Sequence, residues 1–136
     1  MENPPPSQTS KSSTGLDENI AALLAYVFGW VSGLVFFLIE KESKLVRFHA
    51  MQSILFCVVI AVVSIVLWVL FVVLLLMGNM LPDIMGTLIS LLGSLIWLAF
   101  SVILLIAWIL CLVRAYQGQF FKLPVVGNMA EKIVNK

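Results

Sequence analysis

"AMQSILFCVVIAVVSIVLWVLFVVLLLM", residues 50–77, contains no Asp, Glu, Lys, Arg or His. An apolar run beyond about 18 residues reads as a membrane-spanning helix. Two further runs share that property, residues 20–39 and 84–113. The whole chain has 136 residues, 62% hydrophobic and 11% charged, the reverse of what a soluble domain needs to cover its surface. The expectation is an all-α integral membrane protein with three transmembrane helices at about 20–39, 50–77 and 84–113.

At ~1.5 Å rise per residue the first run reaches about 30 Å, the depth of the hydrocarbon core, while the others reach about 42 and 45 Å. Those two need tilt, interfacial first turns, or, in the third, a bend near Gly93 and Ser94. Polar residues 1–15 lie ahead of the first run without a basic leader, so that run reads as a retained helix rather than a signal peptide. Cys57 and Cys111 lie inside apolar runs, far from C-x-x-C spacing, and read as packing residues.

Three regions follow. Residues 1–15, "MENPPPSQTSKSSTG", lack an apolar period and read as a disordered N-terminal tail. Residues 16–116 form the transmembrane helical domain, with Thr14 and Asp17 offering capping chemistry at its start. Residues 117–136 form an interfacial, cytoplasmic C-terminal tail. There Asn128 and Glu131 resemble a capping box for a short amphipathic helix carrying Met129, Ile133 and Val134. Residues 40–48 and "GNMLPD", 78–83, are the connections between spans.

With three spans, Lys41, Lys44, Arg47, Arg114, Lys122, Lys132 and Lys136 share one side and Lys11 faces the other. Basic residues favour the cytoplasm, which predicts a multi-pass protein of the cell membrane with its N-terminus outside and its C-terminus cytoplasmic. Small residues recur at helical spacing: Ala21, Ala25, Gly29 and Gly33 in the first run, and Gly86, Ser90 and Ser94 in the third. They predict close helix packing, either within the chain or between copies.

Little in the sequence supports catalysis. Coupled transport usually places ionisable groups at membrane depth, and intramembrane proteolysis needs paired Asp, Ser with His, or H-E-x-x-H; none is present. His49, the one histidine, lacks a partnered base or ligand set, so no catalytic residue, metal or cofactor is expected. A net charge of +1 gives no field for nucleic acid.

What stands out is polar chemistry at two places expected on the same side. "KLVRFHAMQS", 44–53, carries Arg47, His49 and Gln52 into the second run. "RAYQGQFFKLPVVGNMAEKIVNK", 114–136, follows the third with Tyr116, Gly118, Lys122 and Pro124. His49 and Gln52 are expected to hydrogen-bond at the interface, and Arg47 to pair with Glu40 or Glu42.

"EKESKLVRFHAMQS", 40–53, and "GQFFKLPVVG", 118–127, with "TGLDENIAALLAYVFGWVSGLVFFLIE" ahead of them, together resemble a family of small bacterial and archaeal membrane proteins. That family is similar in pattern to the twenty-kilodalton subunit of the chloroplast Tic import translocon. The likeness covers about residues 14–130. It implies an all-helical integral membrane protein with Arg47, Phe48, His49, Ala50, Gln52, Gly118, Leu123 and Pro124 as signature positions, and it supplies no reaction. The translocon subunit resembles a four-span protein, against three runs here.

The functional expectation is a non-enzymatic scaffold, assembly or translocation-related component. Its cytoplasmic face, built from Arg47, Phe48, His49, Gln52, Tyr116, Gly118, Lys122 and Pro124, would dock a membrane-protein partner or anionic lipid headgroups. The alternative is an oligomeric pore or small-solute carrier assembled through the Ala21 to Gly33 ridge.

Overall fold

The computed structural model describes residues 11–80 and 83–135. Among these the chain forms α1 (Glu18–Val27), α2 (Trp30–Ile39), α3 (Lys44–Gly78), α4 (Asp83–Tyr116) and α5 (Val126–Val134). Two compact units result: one comprises residues 60–107, the other the described residues before and after them.

The unit of residues 60–107 holds the far portion of α3 and the near portion of α4. Both helices are apolar all round, yet none of the most apolar window of α3 and only 6% of that of α4 is buried within the protein. A helix hydrophobic on every face and left uncovered requires hydrocarbon as its solvent. Thr87, Ser90, Ser94 and Ser101 each donate to a carbonyl one turn back on α4, so their hydroxyls stay satisfied without water. Gly86 admits Gly78 of α3, whose carbonyl oxygen lies 3.4 Å from where a Cβ would stand, and the Phe71 ring fills the place beside Gly93.

α3 has 35 residues and α4 has 34, so each is about 50 Å long and exceeds a core of about 30 Å. The excess at the start of α3 is polar. Ser43 caps it through Val46 N–H, and the connection shortens to residues 40–43, leaving Lys44, Arg47 and His49 on the helix. The third run is one helix with no second turn inside it.

The first run departs from expectation. Instead of one helix over 20–39, it breaks at Phe28 and Gly29 into α1 and α2, which pack on each other. Gly29 has φ +61, a left-handed conformation that glycine adopts without the Cβ clash and that a helix cannot continue through. The reversal brings the flanks together: Ser13 N–H and Oγ donate to the Glu40 carboxylate at 2.9 and 2.7 Å. Residue 13 thus lies against the start of the first connection. Residues 11–15 turn, with Ser12 N–H on Leu16 O and Gly15 N–H on Ser12 O. Residues 1–10 of the expected tail lie outside the described residues.

The small-residue ridge is occupied internally. Ala21 and Ala25 are fully buried, and a Cβ at Gly33 would stand 2.8 Å from Ala50 O and 3.2 Å from Ser53 Cβ of α3. Gly29 faces Cys57 in the same way.

At the other end Gly118, φ +67, stops α4, and Gln119 N–H closes the last turn on Arg114 O. The expected capping box does not form. α5 begins at Val126, so Asn128 lies inside it, and Glu131 instead pairs with Lys122 at 2.8 Å.

Replacing Gly33 by Leu should destabilise the detergent-solubilised protein by about 1–3 kcal/mol through overpacking against α3. Gly86→Ala, with ordinary van der Waals room, should change the thermal midpoint far less. Comparable midpoints for the two variants would show that α2 does not seat on α3 this closely.

Candidate functional site

α1, α3 and the segment after α4 converge on a buried polar cluster. Tyr26 hangs from the last turn of α1, while His49 and Gln52 lie one turn apart on α3, all at most 1% exposed. The Gln52 amide donates to Tyr26 Oη and to Phe121 O, each at 3.1 Å, and lies 3.7 Å from Cys111 Sγ. Tyr26 Oη is 3.2 Å from His49 Nδ1, and His49 Nε2 is 3.0 Å from Gln119 O. A carbonyl can only accept, so Nε2 carries the proton. With Gln52 donating to the phenolic oxygen, the Tyr26 proton points at Nδ1. Each bond fixes the direction of the next.

Aromatic edges seal the cluster. Phe48 packs edge-on to His49 and to Phe120, with centroids 5.2 and 5.5 Å apart, and Tyr26 is edge-on to His49 at 5.7 Å. Trp108 of α4 donates to Tyr26 O at 3.2 Å. The effect is to fasten residues 117–122, which have no helical ladder of their own, by their carbonyls to the start of α3. Gln52 Oε1 and Arg47 Nε remain buried without a hydrogen-bond partner.

Beside the cluster, Glu40 is buried and holds four donors: Ser13 N–H, Ser13 Oγ, Glu42 N–H and Ser43 N–H. Burial pushes its carboxyl up, but the Ser43, Ser13 and Glu42 donors outweigh that and hold it below the usual carboxylate value. This displaces the expected Arg47 pairing. The Arg47 guanidinium stands over the Phe37 ring instead, 5.2 Å from its centroid. Glu131 is held below its ordinary value by the hydrogen bond from Lys122.

The eight residues expected to form one docking face thus divide. Phe48, His49 and Gln52 are interior, Gly118 is buried at the α4 stop, and Arg47 is half-buried; Tyr116, Lys122 and Pro124 face outward. Gly86, Ser90 and Ser94 lie in the other unit. Sequence reasoning missed the roles of Tyr26, Glu40 and Ser13. Tyr26 was visible as the one phenol in the first run, but its partners depend on the break at Gly29. Chemically the cluster can hold a segment in place. Among the described residues no group of three or more His, Cys, Asp or Glu could hold a metal ion, and both cysteines are free.

The family model described as the magnetosome magnetite crystal formation protein family, MamF and MmsF, matches residues 16–130, from just before α1 to the middle of α5. The chain belongs to this family. A UPF0132 membrane protein of Methanocaldococcus jannaschii is 43% identical over 124 residues, covering 90% of this chain and 93% of the relative. One from Archaeoglobus fulgidus is 37% identical over 117 residues, 86% of this chain and 95% of its own. A second from Methanocaldococcus jannaschii is 30% identical over 118 residues, 87% and 71%. No solved structure matches the chain. These matches bear out a small membrane-protein family that includes archaeal members, and they carry no link to the Tic translocon. With two long uncovered apolar helices, they make the chain a membrane protein.

Gln52→Leu should leave the Phe121 carbonyl and Tyr26 Oη without their donor, at about 1–3 kcal/mol. The expected result is a lower thermal midpoint together with faster proteolytic cleavage after residue 117. Cleavage at the wild-type rate would mean that the amide does not hold the segment.

Glu40 makes stability pH-dependent with a definite sign. Its folded value lies below its unfolded one, so its contribution is present above the unfolded carboxylate range and is lost as pH falls through the folded value. Glu40→Gln should flatten the acid limb of a thermal-midpoint profile. An unchanged limb would remove Glu40 as its source.

Proposed function

We propose that the protein is a non-enzymatic membrane scaffold or assembly component, whose C-terminal segment is displayed on the cytoplasmic side as a docking face. The observation that carries this reading is the division of those eight residues: an inner set grips residues 117–122 and an outer set stands exposed, Lys122 in its pairing with Glu131. The outer set comprises Tyr116, Lys122, Pro124 and the 69% exposed Val125, with Lys41 in the connection and Lys44 at the start of α3. Nothing in that set forms a nucleophile, base and orienting partner, which favours binding over catalysis.

The cytoplasmic assignment is supported by charge. Between Arg47 and Arg114 there is no Lys or Arg, while both ends of that stretch and the tail beyond carry them. The family's description concerns formation of magnetite crystals in magnetosomes; what transfers from it to this chain is a role at a membrane. The partner is a protein segment or anionic headgroup, since apolar Val125 and Met129 neighbour cationic Lys122 and Lys132 in sequence on an exposed surface.

A photo-reactive amino acid placed at position 116 or 125 in living cells tests this. Discrete protein or anionic-lipid adducts are expected from both positions, and they should decline when His49→Ala and Gln52→Ala unfasten the segment in a protein that still inserts. Adducts indifferent to those changes would separate the clamp from any docking role.

A further inference from the structure

The first apolar run, with its break at Gly29, is built for a dry environment. At Phe28 and Gly29 the helical ladder is interrupted, and in hydrocarbon each freed backbone group would need a partner inside the protein. Each finds one. Phe28 N–H donates to Ser32 Oγ and Gly29 N–H to Tyr26 O. Ala25 O accepts from Ser32 Oγ, and Tyr26 O also accepts from Trp108 Nε1. Gly29 O accepts from Gly33 N–H and from Ser53 Oγ of α3. A turn in water has no need of three side chains to satisfy it.

The surface around this turn is equally dry. Phe28 is 77% exposed and Trp30 57%, with Val31, Leu34 and Leu38 exposed along α2. Each arm has ten residues, about 15 Å at helical rise, half of a core of about 30 Å. The other ends of the arms are polar and joined, Ser13 on Glu40 and Lys41 N–H on Ser13 Oγ at 3.2 Å.

We propose that α1 and α2 form a re-entrant hairpin that enters and leaves the bilayer on the same face. Its outer surface is solvated by the acyl chains of the leaflet beside residues 40–43. The length of the arms selects that occupant: a hairpin of half-core depth, apolar at its tip and polar at its base, fits one leaflet. Both flanks then lie on the cytoplasmic side. Lys11 joins the other cations there, so all eight Lys and Arg residues of the chain sort to one side, where a full crossing would strand Lys11 on the other. The inference does not rest on the docking role.

Cysteines added one at a time by Asp17→Cys, Phe28→Cys and Glu42→Cys, in the full chain inserted in right-side-out and inverted vesicles, test it with a membrane-impermeant charged maleimide. The wild type, with Cys111 buried and Cys57 partly exposed, is the control for background labelling. Positions 17 and 42 should react in inverted vesicles alone, and position 28 in neither. A fluorophore at position 28 should be quenched by lipids brominated near the chain ends and not by iodide. Reaction of 17 and 42 from opposite faces would establish a full crossing and overturn the proposal. So would aqueous reaction at 28, or a 28-to-28 disulfide between copies in place of lipid quenching.

Discussion

In hydrocarbon, a backbone N–H or C=O that lacks a partner has no water to fall back on. The fold follows from that constraint. Long stretches meet it by remaining helical, as α3 and α4 do, with hydroxyls turned back on their own carbonyls. Wherever the helix stops, a side chain must supply what the ladder no longer does. Polar residues are accordingly concentrated at the stops: Ser32 and Ser53 at the Gly29 break, Ser43 at the α3 start, and His49 with Gln52 against the segment after α4.

The buried cluster is directional as well as cohesive. Gln52 has amide protons to give, Tyr26 passes one on, and His49 donates its own to Gln119 O, so the chain of donors runs one way. Replacing one member alone leaves an unsatisfied group in a low-dielectric interior, which costs more than the bond contributes when made. Three elements far apart in sequence are thereby held in a single arrangement, and Tyr116, Lys122 and Pro124 are presented outward as a result.

Much of this was legible in the sequence and some was not. The runs at 50–77 and 84–113 announced themselves, because apolar composition over that length has few other uses. The pairing of the R-F-H-A-x-Q stretch with the segment after Arg114 was also legible, from polar residues gathered at two helix ends. The break at Gly29 was not. Its signal is a lone F-G-W in an otherwise spanning-length run, and glycine is common inside transmembrane helices. Small residues at 21, 25, 29 and 33 read as one ridge only if the helix is continuous; in the structure they close a hairpin and seat it on α3. Arg47 and Glu40 looked like a salt bridge by proximity, but Glu40 had closer donors in its own turn and in Ser13.

The claim that carries the rest is that polar side chains of α1 and α3 fasten residues 117–127 into ordered structure. Hydrogen exchange of the protein in lipid nanodiscs reads this directly. The amides of Gln119, Phe121, Val126 and Gly127, each bonded to a backbone carbonyl, should exchange well below free-peptide rates. Exchange there at the rate of an unstructured tail, with α3 and α4 still protected, would contradict it.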